Sequence, residues 1–454
     1  MEDHPMKIAL SALVCLCVVF TFCWAADNPS DYDKYWPQWR GPTGNGVALE
    51  NDPPTEWSET KNIRWKIDIP GRGSSSPIIW GDRLFVTTAI PVGADNGDAS
   101  PQANGQQRGR RRGPRGVQPD HVQQFVLFAI NRDDGKVLWQ KTLREEKPHQ
   151  GTHMTGTWAS NSAVTDGKHI YAYFGSRGLY GLDMGGNLIW ERDFGDMDKK
   201  MSFGEGSSPV LHEDKIFILW DHNGPSYLFA VDKMTGKDVW KVGRDEITTW
   251  TTPLVVEHGG KQQLIVSGTN NVRSYDASSG ELIWETSGMT ANVIPMPVHV
   301  DGLVLVTSGF RGNALLAINL DAAKGNITDS DAIVWKLDKD TPYAPSPLLY
   351  DDIIYFLKTN RAILSSFNAK TGEENYRQQR LEDMGTVYSS PVGAAGRVYI
   401  TDRDGNTTVI RHGSTFEVLA KNSLDDGFDA SMAVVDNKIY MRGHSNLYCI
   451  AEEQ

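Results

Sequence analysis

The chain has 454 residues, enough for a large buried core, and its 39% hydrophobic and 22% charged residues give a globular balance. With 44 glycines, 14 tryptophans and only 4 cysteines, the composition excludes a coiled coil, a disulfide-dense scaffold and a multi-span membrane protein. A formal charge of −12 argues against nucleic acid as the main partner.

Residues 1–26 read as a targeting segment. Lys7 precedes an apolar run, IALSALVCLCVVFTFCWA (8–25), that ends in small residues. This is the pattern of a secretory signal peptide, with cleavage after Ala25 or Ala26. Glu2 and Asp3 are unusual ahead of such a run and make Met6 an alternative start. An uncleaved N-terminal anchor is the competing reading. Phe22 and Val14 are too large for lipoprotein processing at Cys23 or Cys15. The expected location is therefore periplasmic or extracellular, with membrane association if the leader is retained. Three cysteines lie in the leader, so Cys449 alone remains, and it makes neither an internal disulfide nor a cysteine zinc site. Its setting, LYCIA, is an apolar strand pattern in which a buried thiol is expected. Residues 27–61 are expected to form an extended N-terminal segment.

From residue 62 onward one pattern recurs eight times. Small residues, often before proline, lead into an apolar strand, a tight turn and a second strand. Examples are SSPIIWGDRLFVTT (75–88), SSPVLHEDKIFIL (207–219), SSPVGAAGRVYIT (389–401) and ASMAVVDNKIYM (430–441). A second hairpin ending in an aromatic follows, as in FAVDKMTGKDVW (229–240), RSYDASSGELIW (273–284) and the degenerate SSFNAKTGEENY (365–376). The markers Trp139, Trp190, Trp240, Trp284, Trp335 and Tyr376 are 41 to 51 residues apart. Four short antiparallel strands per repeat of this length predict an all-β, eight-bladed β-propeller. The last copy lacks a fourth strand, and NIRWKIDI (62–69), with Trp65 in the marker position, supplies it. The ring then closes without open sheet edges. The marker aromatics are expected to dock blades, the glycines to allow positive φ in the turns, and the aspartates to accept turn N–H groups.

The first repeat is interrupted by PVGADNGDASPQANGQQRGRRRGPRGVQPDHVQQ (91–124). This Arg/Gly/Gln-rich insertion has no apolar period and is expected to be disordered. Arg108, Arg110, Arg111, Arg112 and Arg115 make it a candidate arm for an anionic surface; a tolerated solvated insertion is the other reading.

Topology brings the loops entering each innermost strand, and those leaving each second strand, to one face. That face should carry His149, His153, Trp158, Glu205, Asp221, His222, Trp250, Asn292, Arg311, Tyr343, Lys358, Tyr388, Asp429 and His444. Carboxylates and Asn suit a hard cation, Arg and Lys an anion, and the aromatics stacking. The competing reading is that these groups hydrogen-bond the crowded loops. HExxH, GxSxG and GxxxxGK[S/T] are all absent. GRGSSSP (71–77) leads into a strand rather than a helix, which argues against a phosphate loop.

The aspartate or asparagine, the TG-type turn and the tryptophan of each repeat resemble the PQQ-type, quinoprotein alcohol-dehydrogenase-like propellers. The opening WPQWRGPTGNG (36–46) is similar to that of secreted PQQ-like repeat proteins of planctomycete-type bacteria. Relatives of this kind include calcium-dependent dehydrogenases using pyrroloquinoline quinone (PQQ) and the propeller subunit of the outer-membrane β-barrel assembly machine, so fold alone does not choose a function. The resemblance to the dehydrogenases implies a quinone held between a Trp and a disulfide of adjacent cysteines, with Glu, Asn and Asp binding calcium or acting as base. Glu205, Asn292 and Asp429, with Trp158 or Trp250, are the residues of matching type. The adjacent cysteines and a CxxCH haem motif are missing. The expectation is a non-catalytic, monomeric binding or scaffold protein with no cofactor, taking a protein segment or a polar or saccharide ligand. The alternative is a PQQ- and calcium-dependent alcohol or sugar dehydrogenase.

Overall fold

Turn dipeptides between alternating apolar runs should cut the chain into hairpins, and they do. A computed structural model describes residues 31–93 and 116–453, together with Met1. The leader, and Arg108, Arg110, Arg111, Arg112 and Arg115, lie outside the described residues.

Eight antiparallel blades form an all-β propeller. Blade 1 runs outward through Ile78–Trp80, Arg83–Pro91, Gln123–Asn131 and Val137–Glu146. Blades 2 to 7 follow over 164–192, 210–244, 254–286, 298–337, 348–380 and 392–423. Blade 8 holds Ala433–Val435, Lys438–Arg442 and Asn446–Ile450, and its outer strand is Ile63–Asp68 from the other end of the chain. The N-terminal strand thus closes the ring. Apolar side chains pack between neighbouring blades: Phe85, Phe125 and Leu127 of blade 1 meet Ile170, Ala172 and Leu182 of blade 2. Cys449 is buried in the last such layer.

Five marker tryptophans cross to the next blade. Trp65, Trp139, Trp190, Trp240 and Trp335 donate Nε1–H to the carbonyls of Arg132, Met184, Lys233, Ala277 and Ala369, at 2.9–3.2 Å. Each ring lies over the glycine of that next turn. At Gly236 (φ +70°) a Cβ would sit 2.5 Å from the Trp190 ring, so only glycine admits the docking. Trp284 departs from the pattern. It bonds Gln263 Oε1 in its own blade at 3.1 Å, because blade 5 has an enlarged hairpin whose Ala323 and Ile327 cover it. Tyr376 packs on Phe416 instead.

Two findings go beyond the repeat. Part of the 91–124 insertion is ordered, which corrects the expectation of disorder across it. Pro91 pairs with Gln123 in blade 1, and Gly116–Val117 pairs with Thr152–His153 of the loop entering blade 2. Backbone pairing to a neighbouring loop outweighs the lack of apolar period there. The second finding is that residues 36–52 wind around the channel at the end opposite the entry loops. Trp36 exchanges both backbone hydrogen bonds with Ile79 of blade 1. Pro37, Asn45, Gly46 and Asp52 then bond blades 2, 5 and 6, 7 and 8 in turn. Val47–Ala48 adds a parallel strand inside blade 7.

Candidate ligand-binding site in the central channel

The small residues before each innermost strand build the channel wall. The backbone N–H of Ser76 donates to Ser162 Oγ, Ser162 to Ser208, and Ser208 to Thr252. Met296 N–H donates to Ser346, Ser346 to Ser390, Ser390 to Ser431, and Ser431 back to Ser76. These seven bonds of 2.9–3.0 Å form a hydroxyl girdle that runs blade to blade and crosses the closure. It breaks only between Thr252 and Met296, where the methionine has no hydroxyl. Met296 instead packs near Leu254 and Gly44 of the N-terminal segment.

Above the girdle lies a cavity of about 180 Å³. Ser76, Ser162, Ser208, Ser390 and Ser431 line it, with Trp39 from the N-terminal segment and Trp250, Tyr388 and Asp429 from the entry loops. Asp429 is the hub of its charges. Arg403 grips the carboxylate with Nε on Oδ1 and Nη2 on Oδ2, the latter at 3.0 Å, and His444 Nε2 meets Oδ2 at 2.9 Å. Burial opposes ionisation of Asp429, but the hydrogen bonds from His444 and Arg403 outweigh it and hold the carboxyl below its usual range. The Arg403 guanidinium also lies 4.9 Å from the Tyr388 ring centre. Burial, with Arg403 adding to it, pushes His153 down, toward the neutral ring. His153 bonds Thr155 Oγ1 at 2.7 Å and stands edge-on to Phe203.

A second, smaller pocket of about 20 Å³, room for one water, lies to the side. His149, Trp158 and Glu205 line it. Glu205 accepts both the N–H and the hydroxyl of Ser176, at 2.6 and 2.5 Å. Burial nevertheless raises its carboxyl above the usual range. His149 bonds the Met197 carbonyl at 2.8 Å, and Trp158 Nε1 donates to Gln150 O at 2.9 Å. Behind both pockets sits Lys199, buried, donating to the carbonyls of Asp221 and Thr249. Burial lowers it to about 8, against the pull of Glu205 and Asp221.

The remaining sequence candidates are dispersed. Asp221 is fully buried: Arg244 contacts both its oxygens at 2.8 and 3.2 Å, Thr249 of the loop entering blade 4 donates to Oδ2 at 2.8 Å, and the side chain lines neither pocket. His222 is buried too, with both ring nitrogens engaged by loop backbone. Both side chains are taken up by hydrogen bonds to surrounding loops, as the competing reading expects, and neither lines a pocket. Asn292 accepts from Lys200 Nζ at 3.0 Å and hydrogen-bonds Tyr343, which stacks on Phe310 at 4.9 Å. Lys358 pairs with Asp340 at 2.8 Å, and Arg311 is exposed over Phe310. The sequence reading missed Arg403, because DRDGN (402–406) reads as a turn, and it missed Trp39 and the girdle.

The calcium reading meets a geometric obstacle. Glu205, Asn292 and Asp429 are held by three separate partner sets, two of them cationic, and among the described residues no group of three or more His, Cys, Asp or Glu converges. These residues do not fit a calcium ion.

A family model described as outer membrane protein assembly factor BamB matches residues 50–223 and 225–454, and the chain belongs to that family of PQQ-like propellers. Among solved structures, BamB from Moraxella catarrhalis is 13% identical with a TM-score of 0.54, covering 72% of this chain and 93% of that one. The quinohemoprotein alcohol dehydrogenase of Comamonas testosteroni is 9% identical with a TM-score of 0.62, covering 93% and 81%. Both likenesses concern the fold. A curated relative, tetrathionate hydrolase of Acidithiobacillus ferrooxidans, is 21% identical over 299 residues, or 61% of this chain. The chain spans about half the length of that relative, 53%.

Proposed function

We propose that this is an exported, monomeric, non-catalytic binding protein that holds a polar ligand, or the polar end of a protein segment, in its central cavity. The observation that carries the reading is the cavity itself. It combines a hydroxyl wall, two indole rings, a tyrosine and Asp429, itself held by Arg403 and His444, in one cavity. Family membership beside an assembly factor supports a binding role. The dispersed carboxylates and the missing cysteine pair count against quinone chemistry.

The test uses thermal unfolding of the full chain with a panel of oligosaccharides and peptides, and separately with PQQ plus calcium. A ligand at 100 times its Kd should add about 2.7 kcal/mol of stability. Ala344 lines the cavity, so Ala344→Trp fills it. The proposal expects at least one panel shift that Ala344→Trp abolishes. It is overturned if shifts persist in that variant, or if PQQ plus calcium stabilises the protein and supports dye reduction with alcohols or sugars.

A further inference from the structure

The wall of the cavity carries hydroxyl hydrogens that have no acceptor among the described residues. Each girdle hydroxyl uses its oxygen to accept a backbone N–H. Among the described residues, no girdle hydroxyl has an acceptor for its own hydrogen, so the lining serines present O–H donors to the cavity.

Two residues before Ser74, which lines the cavity, comes Arg72, in the glycine-flanked GRG that opens the first girdle motif. Its backbone exchanges two 2.9 Å hydrogen bonds with Ala89. A Cβ on Gly71 would lie 2.5 Å from Ala89 O, and one on Gly73 would lie 2.3 Å from Thr87 O. The glycines thus press the triplet flat against strand Arg83–Pro91, and Arg72 alone carries a side chain. That side chain is half-buried and feels both Asp429 and Arg403. It nonetheless makes no hydrogen bond or ion pair among the described residues. Asp429 attracts it at a distance but is bonded by Arg403 and His444, so the Arg72 guanidinium has no hydrogen-bonded counter-ion among the described residues.

Beneath the cavity the same imbalance recurs. Arg40, the neighbour of Trp39, is 1% exposed. Its guanidinium bonds only carbonyls, those of Gly44, Asn45 and Pro347, and its Nη1 has no partner among the described residues. A buried cation without a carboxylate is costly and casts positive potential into the space above.

We infer that the central cavity takes an oxoanion, a carboxylate or a sulfate-like group, gripped by Arg72 and the girdle hydroxyls over the field of Arg40. This rests on the cavity being the binding site and specifies the ligand's chemical class. The full chain is titrated with sodium sulfate and, in a second arm, sodium acetate, each against sodium chloride at matched ionic strength, with thermal unfolding as the readout. The arms separate tetrahedral from planar oxoanions. Sulfate also stabilises proteins non-specifically, so the decisive quantity is the difference between wild type and Arg72→Gln. The expected result is a saturable stabilisation by at least one oxoanion, weakened about tenfold or more in Arg72→Gln, as loss of a charged hydrogen bond predicts. Calorimetric titration of Ala344→Trp is the second measurement and should find no oxoanion binding. Superimposable curves for wild type and Arg72→Gln overturn the inference. A neutral ligand lost in Ala344→Trp, with no oxoanion effect, defeats this inference and leaves the binding reading standing. Oxoanion binding that survives Ala344→Trp defeats both.

Discussion

Docking of a tryptophan on the next blade's glycine predicts a coupling that a double-mutant cycle can read. Trp190 donates to Lys233 O at 2.9 Å, and its ring covers Gly236. Truncation in Trp190→Ala opens an inter-blade cavity and should cost about 3–5 kcal/mol. Gly236→Ala incurs two separate costs. Holding alanine at φ +70° costs roughly 1–2 kcal/mol. Forcing its Cβ to within 2.5 Å of the indole adds an overpacking cost of about 1–3 kcal/mol. In the Trp190→Ala background the second cost vanishes, because the clashing ring is gone. The double variant should therefore be about 1–3 kcal/mol more stable than the sum of the single losses predicts. Urea unfolding followed by far-ultraviolet circular dichroism avoids the altered tryptophan emission. If Gly236→Ala costs the same in both backgrounds, the ring is not seated on that turn and the account of blade docking fails.

Three other predictions follow from buried groups. Asp221→Ala should cost about 3–5 kcal/mol in denaturant unfolding, because it strands the Arg244 charge in the core. Ser346→Ala removes the acceptor of Met296 N–H; it should cost about 1–3 kcal/mol and speed hydrogen exchange at that amide. Lys199 sits at about 8 in the fold, below its unfolded value of 10.5, so the unfolded chain binds the extra proton between these values. Wild type should therefore gain stability relative to Lys199→Met as pH rises from about 8 to about 10.5, by roughly 3 kcal/mol at most, measured as the difference between their unfolding curves. A flat difference refutes the assignment.

How much of this was legible in the sequence depends on what each residue answers to. The eight blades were legible because the repeat imposes the same turn, strand alternation and aromatic on each unit, and ring closure by residues 62–69 followed from counting strands. The serine-proline motif was visible as a pattern, but its purpose was not, since a hydrogen bond to the next blade leaves no periodic mark within one blade. Asp221 and Asp429 illustrate the limit for the site. Both lie in loops expected on the funnel face and both pair with an arginine. One is drawn into the core by Arg244 and the other stays at the cavity with Arg403. Loop position does not encode that difference, because each arginine comes from a different part of its blade. Trp39 and Arg40 were hidden for a related reason: residues 36–52 have no period of their own and take their conformation from the blades they touch.

That N-terminal segment changes what the propeller can do. A ring of eight blades alone would enclose a channel open at both ends. Here Trp36 is buried and tied to Ile79 in both directions, and Arg40 ties the segment to blade 6 through Pro347 O. Met296, at the single break in the girdle, fills the gap against Gly44. The break and the plug are therefore one arrangement: a hydroxyl at position 296 would complete the ring but lose the apolar contact that seats the segment. With residues 36–52 bonded across that end and Trp39 in the cavity lining, the N-terminal segment and the entry loops together bound the cavity. Those loops carry Tyr388, Asp429 and Trp250, while the blade-docking tryptophans, glycines and turn aspartates stay on the outer hairpins. Residues at the mouth can thus change without disturbing the inter-blade contacts that hold the ring.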